Sequence, residues 1–115
     1  MQANIYGKSG EIIVANFLKK KGYKILETNY KNKIGEIDVI AKDKDYTVFV
    51  EVKSRTSRAF GDPLEAVDIH KQEKIRKVAT LYMMKHNLLD SLVRFDAVAI
   101  LGKEDYQIRH IEHAF

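Results

Sequence analysis

Ile34-Gly35-Glu36-Ile37-Asp38-Val39-Ile40-Ala41 and Thr47-Val48-Phe49-Val50-Glu51-Val52-Lys53 are two apolar runs that carry ionic side chains at regular intervals. Both are dominated by β-branched residues, so each reads as a strand. The segment between them, Lys42-Asp43-Lys44-Asp45-Tyr46, is polar and compatible with a turn, so an antiparallel hairpin is the simplest connection. With Lys44-Asp45 as a two-residue turn, Asp38 falls opposite Glu51 and Glu36 opposite Lys53, with facing Cβ atoms about 4.5–5.5 Å apart. A four-residue loop slides the pairing by two and keeps all four residues on one face. An odd loop without a bulge separates them. The turn lacks an Asn-Gly or Asp-Gly pair, so turn chemistry alone leaves the register open.

Two carboxylates that face each other in a half-buried sheet repel, and one takes up a proton unless a cation lies between them. A hard divalent cation, Mg²⁺ or Mn²⁺, suits Asp38 and Glu51, because such ions take carboxylate oxygens and keep sites for water and substrate phosphate. Held there, it can help deprotonate a water and neutralise charge on a phosphate under attack. Lys53, two residues from Glu51, shares its face and can hold that water or stabilise the transition state. Together the three residues point to metal-assisted phosphodiester hydrolysis. Each also has a plainer reading: a lone strand-edge acid blocks aggregation, and Lys53 alone is an ion-pair partner for Glu51 or Glu36. The pattern is more specific than its members: Asp38, twelve intervening residues, then Glu51-Val52-Lys53, all after a helix that carries Glu11.

Gly35-Glu36-Ile37-Asp38 followed by Phe49-Val50-Glu51-Val52-Lys53-Ser54-Arg55 resembles the signature of the YraN family, small proteins of the restriction-endonuclease-like superfamily. The similarity extends to Gly7, Gly10, Glu11 and Ala15, to Gly61-Asp62-Pro63 and Lys71, to Arg94-Phe95-Asp96 and to His113-Ala114-Phe115. The superfamily includes Holliday-junction resolvases and repair nucleases. The resemblance implies Asp38 and Glu51 as metal ligands, Lys53 as the catalytic lysine and Glu11 as a helix-borne acidic contributor. It implies an ancestral nuclease site more firmly than a present reaction.

At 115 residues with 45% hydrophobic content and no linker or repeat, the chain is expected to form a single nuclease-like domain over residues 1–115. It has no cysteine, which excludes disulfides and thiolate zinc sites and suits a cytoplasmic protein. Neither a secretory leader nor a membrane span is expected. A net charge of +4 favours a polyanionic partner.

Ile13, Val14, Phe17 and Leu18 recur at helical spacing and predict a helix near Ser9 to Lys21, closed by Lys19-Lys20-Lys21-Gly22. Glu11 lies in its first turn, where the helix dipole alone favours an acid. It also borders the buried face, within reach of the sheet. A strand over Tyr23 to Tyr30 completes a three-stranded meander. Ser54 to Gly61 reads as a polar, basic loop in which Arg55 and Arg58 grip phosphates or are simply solvated, and Phe60 stacks on a base or folds onto the core. Asp62-Pro63-Leu64-Glu65 reads as a helix start, with the helix broken once near Asp68 and running to about Asn87. Ile75, Val78, Ala79 and Tyr82 form its inner face. Lys71, Lys74, Arg76 and Lys77 form a basic face, solvated or bound to a nucleic-acid backbone. Lys71 and Gln72 lie nearest the helix start and so nearest the site. Strands are expected over Val93 to Leu101 and Tyr106 to Ile111, with Asp96 paired to Arg94 and no metal role for His110 or His113.

The expected fold is α/β, a restriction-endonuclease-like core with a mixed central sheet in the order helix, three strands, helix, two strands. The expected function is a divalent-metal-dependent endonuclease acting on DNA, with branched DNA suggested by analogy and a homodimer by the need to cut two strands. The alternatives are a non-catalytic nucleic-acid-binding module that keeps the fold and an adaptor whose basic helix meets an acidic protein.

Overall fold

The structure, a computed structural model, describes residues 8–55 and 68–115. Its elements are α1 (Lys8–Lys20), β1 (Lys24–Lys31), β2 (Glu36–Asp43), β3 (Tyr46–Arg55), α2 (Ile69–Lys85), β4 (Leu92–Leu101) and β5 (Gln107–Ile111). The expected α/β order of elements is therefore present. The five strands form one sheet in sequential order, with β1, β2 and β3 an antiparallel meander, β4 parallel to β3, and β5 antiparallel to β4. A parallel pair needs a crossover connection, and α2 lies in the one between β3 and β4.

The helices cover opposite faces of the sheet. Val14 and Leu18 of α1 pack with Val39, Ala41, Val48, Val50, Val98 and Ile100. Ile75, Val78, Ala79, Tyr82 and Met83 of α2 pack with Ile37, Ile40, Phe49 and Phe95. The inner face of α2 is the expected one, with Met83 added. Its outer face is not uniformly solvated: the Arg76 guanidinium lies 4.6 Å from the Phe95 ring centre and 5.6 Å from that of Phe115.

α1 ends as its sequence implies. Gly22 takes φ 96°, and the Gly22 and Tyr23 amides donate to the carbonyls of Lys19 and Leu18 at 3.0 Å, closing the last turn. At the start of α2 the Asp68 side chain caps the amides of His70 and Lys71. The helix start expected at Asp62-Pro63-Leu64-Glu65, and Arg58 and Phe60, lie outside the described residues. Ser54 and Arg55, expected in a loop, instead continue β3. The parallel partner runs on beside them, placing Ser54 against Ile100 and Arg55 against Leu101, and the Gly102 amide donates to the Arg55 carbonyl at 2.9 Å.

The hairpin closes through Lys44-Asp45, with Asp43 paired to Tyr46. The ladder runs as far as Val39 opposite Val50, the register that points Asp38 at Glu51. There the strands part. Strict alternation would group Ile37 with Val39, yet Ile37 and Ile40 pack on the α2 side while Val39 and Ala41 pack on the α1 side. The strand is thus re-phased at Asp38. Across the β1–β2 ladder the position facing Asp38, bracketed by the pairs Thr28–Val39 and Tyr30–Ile37, is Asn29, which takes a left-handed φ of 51°.

Candidate active site

The parting of β2 from β3 leaves the Val52 amide without its ladder acceptor, and the Asp38 carboxylate takes that place: Val52 N–H donates to Asp38 Oδ2 at 2.7 Å. Asp38 is therefore fixed in the fork between the two strands. Glu51, on the next strand and only 8% exposed, turns to the α2 side, where Lys71 Nζ meets its Oε1 at 2.5 Å. Lys53 follows at period two.

The electrostatics match this crowding. Burial pushes Asp38 up to about 7 in spite of the Val52 hydrogen bond, and the charges of Glu51 and Glu11 push it the same way while Lys71 opposes them. Charges from both helical layers thus reach one carboxylate. Burial also lowers Lys53, with Lys71 and Arg55 adding to the effect and Glu51 resisting it.

The charge of Glu51 acts on Asp38 across the fork and on Lys53 along β3. Glu11 contributes through its charge from the first turn of α1. Lys71, expected on a solvated or nucleic-acid-binding face and nearest the site, does reach the site and holds Glu51. Arg55 is exposed at the end of β3, its guanidinium donating to the Ser54 carbonyl at 2.8 Å, and Gln72 is half-buried on the first turn of α2. Glu36 does not meet Lys53, because the ladder stops before that pair. It faces Lys31 across the β1–β2 ladder, with Nζ and Oε2 3.9 Å apart.

The acids suit a hard cation by donor type. Asp38 gives one oxygen to Val52 and Glu51 one to Lys71, so each retains a second carboxylate oxygen. Among the described residues no three His, Asp or Glu side chains gather around one point, so water and phosphate would complete the sphere.

Beside these residues lies a cleft of about 720 Å³ between the Asn32–Gly35 turn and the start of α2. Lys31, Asn32, Glu36, His70, Lys71 and Lys74 are on its walls. Of these, Lys71 and Lys74 were legible as a basic helix face. Lys31, Asn32 and His70 were not, because only the packing of α2 against the β1–β2 connection brings them into one place.

A separate buried network lies on the other face. Arg94 donates to both oxygens of the fully buried Asp96 at 2.9 Å, as expected, and also to Asp43 at 2.9 Å and the Tyr23 hydroxyl at 2.6 Å. His110 Nε2 meets Asp96 at 2.7 Å, while Lys21 Nζ meets His110 Nδ1 at 2.8 Å. With the ammonium donating to Nδ1, the proton of the neutral ring sits on Nε2 and is given to Asp96. Burial alone would raise Asp96, but the His110 and Arg94 hydrogen bonds hold it below the usual carboxylate range.

Comparison with known proteins gives a consistent match. The sequence model of the uncharacterised protein family UPF0102 matches residues 10–100. A UPF0102 protein of Caldanaerobacter subterraneus is 52% identical over 108 residues, covering 93% of this chain and 88% of its own. A UPF0102 protein of Clostridioides difficile is 49% identical over 109 residues and 95% of both chains. One from Acetivibrio thermocellus is 45% identical over 109 residues, 91% of this chain and 84% of its own.

Proposed function

The chain belongs to the uncharacterised protein family UPF0102, and we propose that it is a divalent-metal-dependent DNA endonuclease with a restriction-endonuclease-like core. The observation that carries this reading is the fork between β2 and β3, where burial, aided by the charges of Glu51 and Glu11, pushes Asp38 up to about 7, with Lys53 two residues beyond Glu51 on β3. Mg²⁺ or Mn²⁺ held by the two carboxylates would neutralise charge on the phosphate and make a bound water more acidic. Asp38 and Glu51 would fix its position, because the Val52 amide and Lys71 already fix theirs. Lys53, with its pKa lowered by burial, would hold the attacking water and offset charge on the phosphate oxygens. Water adds across one ester bond, leaving a phosphate monoester on one fragment and a hydroxyl on the other. Lys71 would release Glu51 and turn to phosphate once another cation serves that acid. Double-strand cutting would take two copies of the chain.

A second reading, a nucleic-acid-binding module without catalysis, is favoured by one contact: Lys71 already neutralises Glu51. Incubation with supercoiled, single-stranded and four-way DNA, with and without Mg²⁺ or Mn²⁺, separates the two. Metal-dependent cutting that is lost in Glu51→Ala and Lys53→Ala supports the enzyme. Intact DNA with retained, salt-sensitive binding supports the module.

A further inference from the structure

We infer that the cleft between the Asn32–Gly35 turn and the first turns of α2 is a subsite for an unpaired nucleic-acid strand leading to the scissile phosphate. This rests on the nuclease reading above and adds the form of DNA that the site accepts. The cleft adjoins the proposed catalytic groups, because Lys71 is both on its wall and in contact with Glu51. Lys31 stands on the sheet wall, and Lys71, Lys74 and His70 stand on the helix wall. The acid in this lining, Glu36, is on the wall beside Lys31 and paired with it. Cations on facing walls converge on one polyanionic strand. A duplex would instead spread its phosphates along two backbones outside the cleft.

The dimensions agree. At about 720 Å³ the cleft falls in the range of small-ligand sites, the size of one or two nucleotides. Lys71 and Lys74 are one helical turn apart, about 5 Å, so they serve neighbouring groups along a single backbone. No Phe, Tyr or Trp is among its described lining residues, and the His70 imidazole is the one small ring there, so the grip falls mainly on phosphate and sugar. Gly35 belongs to this design. A Cβ there would come within 3.3 Å of the Lys74 stem, so its absence lets that side chain lie across the turn. Asn32 Oδ1 accepts from the Ile34 and Gly35 amides at 2.9 and 3.2 Å and holds the turn. Its Nδ2 is a buried donor with no protein acceptor among the described residues.

Fluorescence anisotropy of the full chain in EDTA tests this with a labelled thymidine oligonucleotide, a blunt duplex and a duplex bearing a single-stranded flap. The oligonucleotide and the flap should bind about tenfold tighter than the duplex at low salt. Lys31→Gln combined with Lys74→Gln should weaken oligonucleotide binding by about tenfold and reduce the slope of log affinity against log salt by about 1.4, the loss of two single-strand contacts. Lys19→Gln with Lys20→Gln, on the far helix, should change neither, and circular dichroism confirms folding of each variant. The inference is overturned if the duplex binds as well as the oligonucleotide, if the Lys31/Lys74 variant keeps the parent affinity and slope, or if polyglutamate binds as tightly as DNA. Metal-dependent cutting by the parent, assayed apart, reports on the nuclease reading. Its loss would leave the EDTA result standing, and its presence would not rescue a failed one.

Discussion

Asp38 has a pKa of about 7 in the folded chain, against about 3.9 for an unfolded aspartate. The folded state therefore binds more protons between those values, so this residue's contribution to stability is complete below about pH 4 and is lost as pH rises to about 7. Asp38→Asn keeps an acceptor for the Val52 amide and removes the titration. We predict that the variant and the parent unfold alike near pH 4, and that by pH 8 the variant is the more stable by roughly 4 kcal/mol, measured by urea denaturation without divalent ions. A constant gap across that range would contradict the burial and crowding assigned to Asp38. Lys71 offers a second test. Lys71→Ala leaves Glu51 without its cation, so Mn²⁺ should raise the melting temperature of this variant by several degrees more than that of the parent. An equal shift in both would mean that Lys71 and the metal do not compete for Glu51.

The ends of elements follow from local chemistry. Gly22 has φ 96° and open space where a Cβ would stand, so Gly22→Ala adds backbone strain without a clash. A loss of about 1 kcal/mol is expected in thermal or urea unfolding, and no loss would show that the cap can rearrange. The β2–β3 hairpin was legible for the same reason: β-branched runs flank a polar pentapeptide, and the two-residue turn at Lys44-Asp45 is one of the registers that they allow. The re-phasing at Asp38 was not, since it depends on Asn29 across the ladder. Nor was the extension of β3 through Arg55, because Ser54 and Arg55 have polar, loop-like side chains and owe their strand state to the hydrogen bonds of β4. The hold of Lys71 on Glu51 depends on how α2 settles over β3, a contact between residues far apart in sequence.

Across the whole molecule the two faces of the sheet do different work. The α2 face carries the fork, the lysines and the cleft. The α1 face carries the Arg94–Asp96 network, which ties β4 to Tyr23, Asp43 and the segment holding His110 and Glu112. The Arg94–Asp96 pair was readable from its spacing, whereas its partners come from other strands. Asp96→Ala would take the bidentate acceptor from a buried guanidinium that keeps Asp43, Tyr23 and Glu112, and the acceptor of a buried imidazole, and a loss of about 3 kcal/mol in urea unfolding is expected. Asp96 is held below its ordinary pKa, so the stability it supplies is present above about pH 4 and is lost on acidification through its lower folded value. A loss below 1 kcal/mol would show that the network contributes little. Neither helix α1 nor α2 is long and apolar enough to cross a membrane.

The most direct measurement is single-turnover cleavage of flap-bearing DNA in Mn²⁺ by the parent and by Lys53→Met, with Mn²⁺ binding checked calorimetrically in both. The acids predict that both proteins bind the ion, and the place of Lys53 predicts that cutting slows by about a hundredfold or more in the variant. Equal cleavage rates in the two proteins, or no cleavage by the metal-loaded parent, would contradict a hydrolytic site at the fork of β2 and β3.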